Sequence, residues 1–279
     1  MTSVDLAARL PNRLRSAGWV FAFLALLAAL LFPAILLSAH FDHEMSVWEQ
    51  AGLIAAATVG IQLIRRARPS EVTGAVDRRT PRRLLIGAAL GAGLMLVPAG
   101  FLALSGLVRW EAVVVSGPVI LSAMVGMAGV AVAEELLFRG VLFQGLIKAI
   151  GAWPAQLAVA GLFVLTHLGN PGMVGLTKSL AGVNIFLASL LFGAAYLRTR
   201  GLAAPIALHF MANLVQGVVL GFGVSGNVEE SMLRPRFPLD AAWLTGGDFG
   251  LEARVPGLVS LIAVLAAVLM WRGEDRPTN

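Results

Sequence analysis

Eight stretches of this 279-residue chain are apolar over roughly the length of a bilayer crossing: about 18–39, 47–64, 84–107, 113–149, 153–170, 178–197, 202–223 and 256–271. A spanning helix needs about 20 mainly apolar residues, because it rises ~1.5 Å per residue through ~30 Å of hydrocarbon. In lipid each backbone N–H and C=O must bond within its own segment, so repeated runs of this kind leave few folds open. The expectation is an all-α polytopic membrane protein of about eight transmembrane helices, a single membrane domain over 1–279 without internal repeats. The second and eighth runs are short, and the fourth is too long for a simple span. Composition agrees: 13% of residues are charged, against about 25% in soluble domains. The first run follows Arg9, Arg13 and Arg15 and resembles a signal peptide, but its 22 residues exceed the usual ~7–15-residue apolar region, which favours an uncleaved helix.

The basic residues set an orientation. With the N-terminus inside, sixteen of the 21 Lys and Arg residues fall on inner segments, seven of them in 65–83, and only Arg109, Lys178, Arg234, Arg236 and Arg254 fall outside. Cytoplasmic loops carry the excess of Lys and Arg, so both termini are expected in the cytoplasm. This placement also accounts for the net charge of +5 without a nucleic-acid partner; the partner of the surface is the lipid bilayer. Nineteen Arg against two Lys, with abundant Ala and Gly, fit a GC-rich bacterial genome and hence a bacterial cytoplasmic membrane. The absence of cysteine excludes disulfides, thiolate zinc sites and cysteine nucleophiles. The loop over about 224–255, with Pro235, Pro238, Gly246 and Gly247, reads as an ordinary connection, with a lid as the alternative.

Few ionisable groups lie well inside the runs, and each is costly there. In "VAVAEELLFRG" Glu135 and Arg139 are four apart and share a helix face, with the acid N-terminal to the base. Glu134 points about 100° away. Arg139 can therefore hold Glu135 ionised while Glu134 faces a cavity; a purely architectural ion network is the alternative. His167 closes "LFVLTHLGNP". Counted from a turn at Gly151, Glu134 and His167 lie at matched depth, roughly 21–23 Å from the inner end at ~1.5 Å per residue. A carboxylate and an imidazole at one level form a candidate acid/base pair. His209 and Asn213, in "PIALHFMANLV", share a face and offer two donors to one space. Such donors can stabilise an oxyanion or act as polar glue between helices.

Taken together these residues resemble the CAAX prenyl protease 2 and bacteriocin-processing family of glutamic-type intramembrane endopeptidases. Its EExxxR is matched by Glu134, Glu135 and Arg139, its FxxxH by Phe163 and His167, and its HxxxN by His209 and Asn213, in order on the fourth, fifth and seventh runs. The resemblance covers about 113–223, the motif-bearing catalytic core. It implies an eight-helix fold in which Glu134 and His167 activate water, His209 and Asn213 stabilise the oxyanion, and Glu135 and Arg139 brace the site, with both glutamates candidates for the base. It implies no cofactor. Zinc ranks second, since two His and a Glu are adequate ligands but no HExxH helix is present.

The leading expectation is thus a peptidase hydrolysing a peptide bond in a membrane-associated substrate: a CAAX-like or lipidated peptide, a bacteriocin leader or a C-terminal sorting tail. The alternatives are a non-catalytic membrane scaffold or immunity protein of the same fold, and a proton-coupled transporter. Transporters commonly carry internal repeats, and none is apparent.

Overall fold

The computed structural model describes residues 3–238 and 249–273. Arg276 and the loop glycines Gly246 and Gly247, used in the sequence reading, lie outside the described residues. The helices in chain order are α1 (Ser3–His40), α2 (Val47–Ile64), the single turn α3 (Ser70–Thr73), α4 (Thr80–Leu104), α5 (Gly117–Leu137), α6 (Phe143–Ile150), α7 (Ala152–His167), α8 (Gly175–Thr199), α9 (Ala203–Asn213) and α10 (Val255–Met270). Among the described residues five segments are long and apolar enough to cross a membrane: Pro11–His40, Val47–Ile64, Thr80–Leu104, Gly117–Ile150 and Gly175–Thr199. Ala152–His167, Ala203–Val219 and Val255–Met270 are shorter apolar helices. Large apolar side chains such as Phe21, Phe32, Leu63, Leu85, Val97 and Leu165 remain exposed. So extensive an apolar exterior is foreign to a soluble monomer and natural against lipid. The chain is a multi-pass membrane protein.

Two departures from the sequence reading matter. The run at 113–149 is not one helix. Its first residues are extended, and Arg109–Ala112 form strand β1, antiparallel to β2 (Leu233–Arg236) with Arg109 opposite Arg236. Ser116 then stands at the N-cap of α5, with Pro118 in the first turn, where its missing N–H leaves no bond unmade. Further along, α5 gives way at Phe138–Leu142 to a π-helical turn before α6, with Gly140 at a non-helical ψ of −131°. The run at 202–223 is interrupted in the same manner, by a π-helical turn at Leu214–Val219.

The helices pack α4 on α9, α2 on α5, α1 on α6, α7 on α8 and α8 on α10. The α4–α9 approach is the tightest and has a visible cause. A Cβ placed on Gly87 would lie 2.2 Å from the Ala204 carbonyl oxygen, and one on Gly91 2.2 Å from that of Leu208. Small residues spaced in this way let helix backbones touch in a membrane. Here they seat the helix that carries His209 and Asn213.

Candidate active site

Arg139 is fully buried in the first π-helical turn. Its guanidinium donates to Glu135 Oε1 at 3.2 Å and, from its other terminal nitrogen, to the Ser189 carbonyl and Oγ, both at 2.8 Å. The rings of Phe138, Phe163 and Phe192 surround it at 5.9, 5.1 and 5.2 Å from their centroids. Gln144 donates to the Arg139 carbonyl at 3.2 Å and to the Val72 carbonyl at 2.8 Å, so a carbonyl at the disturbed turn is not left bare. The i,i+4 pair anticipated from sequence is therefore present, with Ser189 of α8 as a third member.

Glu135 does more than pair with Arg139. Its Oε1 is also 3.0 Å from Nδ1 of His209, and the carboxylate is wholly enclosed. Glu134, one residue earlier and on the adjacent face, has 27% of its side chain exposed, and its Oε2 lies 3.9 Å from Nε2 of His209. The His209 ring thus stands between the two carboxylates, stacked on Phe192 at 4.7 Å and 11°.

His167 is the last residue of α7. Its Nδ1 lies 2.7 Å from the Phe163 carbonyl oxygen, an acceptor only, so Nδ1 carries a proton and Nε2 is left free of that bond. The ring also packs on Phe163 at 4.5 Å. Both residues of FxxxH are therefore used: the phenylalanine fixes the tautomer and the plane of the imidazole.

Glu134, His167, His209 and Asn213 line one cavity of about 420 Å³. Asn213 is buried to within 7%, yet its amide makes no hydrogen bond among the described residues, which leaves its donors for an occupant. Glu135 and Arg139 stand behind the wall. Glu134 and His167, the candidate acid/base pair, line the same cavity, and the imidazole in contact with Glu134 is that of His209. Among the described residues no three His, Cys, Asp or Glu side chains converge as a metal-ligand set.

The cavity also has members that the sequence reading missed. Asn170, Asn184, Ser225, Asn227, Glu229 and Glu252 line it too. Glu252 accepts from the Ser225 N–H at 3.0 Å and from its hydroxyl at 2.9 Å, and Asn170 donates to the Ser225 carbonyl at 3.0 Å. Burial pushes the Glu252 carboxyl above the ordinary range, opposed by those hydrogen bonds and by the fields of His167 and His209; burial pushes Glu229 up as well. The ends of the 224–255 loop are thus walls of the site, not a plain connection. The one sequence signal was an acid in "FGLEARVPGL", immediately before an apolar run.

The sequence of this core has known relatives. Residues 116–215 match the model of the Rce1-like family, described as type II CAAX prenyl endopeptidases. The match runs from the N-cap of α5 into the second π-helical turn and so takes in all three motifs. No curated protein matches the chain. The chain is thus similar to that family over the segment that carries the three motifs, within a multi-pass membrane protein.

Proposed function

We propose that the chain is a glutamic-type intramembrane endopeptidase, a single membrane domain of eight spans in a bacterial cytoplasmic membrane, with both termini inside and no resident metal. One observation carries the reading: Glu134, His167, His209 and Asn213 line a single cavity while Glu135, bonded through Oε1 to Arg139 and His209, stands outside it. Glu134 is then the base. A water between Glu134 and His167 attacks the carbonyl carbon of the substrate and gives its proton to the Glu134 carboxylate. The Nε2 lone pair of His167 orients that water through its second hydrogen. The carbonyl oxygen becomes the oxyanion and accepts from the Asn213 amide and from Nε2–H of His209, held as an imidazolium by Glu135 at Nδ1. Four buried charges (two carboxylates, Arg139 and His209) then sum to zero. On collapse the C–N bond breaks and Glu134 returns its proton to the leaving amine.

Replacing Glu134 by Gln tests this. The amide keeps the size and hydrogen bonding but takes up no proton, and general-base loss costs ~10²–10⁴-fold in rate. Purified Glu134→Gln should be folded and should not cleave membrane-anchored peptides that the wild type cleaves, with or without chelator. Undiminished cleavage would overturn the assignment, and chelator-sensitive cleavage by the wild type would move the mechanism to zinc. Unchanged biological activity in a variant that cuts nothing would favour the scaffold.

A further inference from the structure

The cavity opens at one end of the bundle. Of the described residues lining it only Thr166 and Asn227 are exposed, and the other polar lining residues Asn170, Ser225, Glu229 and Glu252 sit on the α7–α8 connection and on the segments either side of 239–248. His209 and Phe192, by contrast, are buried at the inner wall. The opposite end is tied together by different contacts. The segment 65–83, with seven arginines, packs against the turn joining α8 to α9: the Leu202 N–H donates to the Thr73 carbonyl at 2.9 Å. Gln144 of α6 reaches the Val72 carbonyl on the same segment at 2.8 Å, and Arg198 donates to the Val268 carbonyl near the C-terminus of α10 at 3.1 Å. The basic loop, the start of α9 and the ends of α6, α8 and α10 therefore share one face of the membrane, and the mouth lies on the other. Excess Lys and Arg mark the cytoplasmic side.

We propose that the cavity is entered from the non-cytoplasmic face, and that its substrates are peptide segments already translocated across the membrane. This rests on the endopeptidase reading for what is cut; the direction of access stands on charge and geometry alone. It disfavours a lipidated tail displayed in the cytoplasm and favours a leader or sorting tail on an exported chain. The depth of the wall formed by His209 and Phe192 further requires that the scissile segment be drawn down from the mouth, not met at the surface.

The chain contains no cysteine, so single cysteines report without background. Asn227→Cys, and Glu230→Cys as a second exposed position on the mouth side, should react with a membrane-impermeant sulfonated maleimide in intact spheroplasts. Ser70→Cys, exposed on the basic segment, should react only after permeabilisation. Labelling of Ser70→Cys alone in intact cells overturns the proposal whether or not the protein is a protease. A second arm presents one cleavable segment on an exported or a cytoplasmic carrier. Cleavage of the exported form alone is expected, and of the cytoplasmic form alone would overturn the direction of access. If Glu134→Gln cuts as well as wild type while the labelling pattern holds, the endopeptidase reading falls and the access direction survives.

Discussion

Removing the Arg139 guanidinium should cost the protein a large share of its stability margin, and the structure shows why. Arg139 and Glu135 are both fully enclosed. Without the guanidinium, Glu135 keeps one partner, Nδ1 of His209 at 3.0 Å; its Oε2 already lacks one. The Ser189 carbonyl and hydroxyl lose their donor too. Breaking a buried pair from one side costs about 3–5 kcal/mol, since an uncompensated charge is left behind. Total stabilities are about 5–15 kcal/mol. Arg139→Leu should therefore accumulate poorly and unfold well below the wild type in detergent. The decisive comparison is Arg139→Leu with Glu135→Gln. Neutralising the stranded acid should raise the unfolding midpoint above that of Arg139→Leu alone, because neighbouring sites in one network are non-additive. Activity should stay lost, since His209 then lacks the carboxylate that holds its proton. Arg139→Lys keeps the charge without the planar fork that reaches both Glu135 and Ser189, and should fall between wild type and Arg139→Leu. A stable Arg139→Leu, or a double variant less stable than it, would refute the ion-pair argument.

Three further outcomes can be checked directly. Gly91→Ala sets a Cβ 2.2 Å from the Leu208 carbonyl oxygen, so it should displace α9 and lower both the unfolding midpoint and activity. Gly18→Ala, with nothing within 4 Å of its added carbon, should change neither. Asn213→Ala removes an amide that bonds to nothing among the described residues, so it should fold normally and lose ~10²–10³-fold in kcat; impaired folding would mean that the amide has a structural role. Glu229 and Glu252 have folded-state pKa values raised above the ordinary 4.5, so the folded state binds more protons than the unfolded one and stability falls as pH rises above that value. Unfolding midpoints measured across the acid range should show that fall, and Glu229→Gln with Glu252→Gln should flatten it; an unchanged slope would count against buried acids at the mouth.

What could be read in advance follows the range of each interaction along the chain. Glu135 with Arg139, and Phe163 with His167, are four residues apart, and a helix alone brings such residues together. Ser189 bonds to Arg139 across fifty positions, and Glu252 reaches Ser225 across 27. No local period marks either, so both were missed, as was the strand pair Arg109–Ala112 with Leu233–Arg236. The π-helical turns were missed for another reason: they keep the apolar composition of their surroundings and shift only the hydrogen-bond partner by one residue.

The pairing of Glu134 shows the limit most clearly. Counting residues from the Gly151 turn gives a height along each helix, and in the structure Glu134 and His167 line one cavity. It says nothing about rotation around each helix, nor about which ring nitrogen is already engaged. In the structure His167 gives Nδ1 to the Phe163 carbonyl, while α9, drawn close to α4 by Gly87 and Gly91, presents His209 between Glu134 and Glu135. The result separates two imidazoles by their partners. One is held at Nδ1 by a backbone carbonyl, the other at Nδ1 by a carboxylate. What each ring can do in the proposed reaction therefore depends on what stands behind it, which helix packing determines.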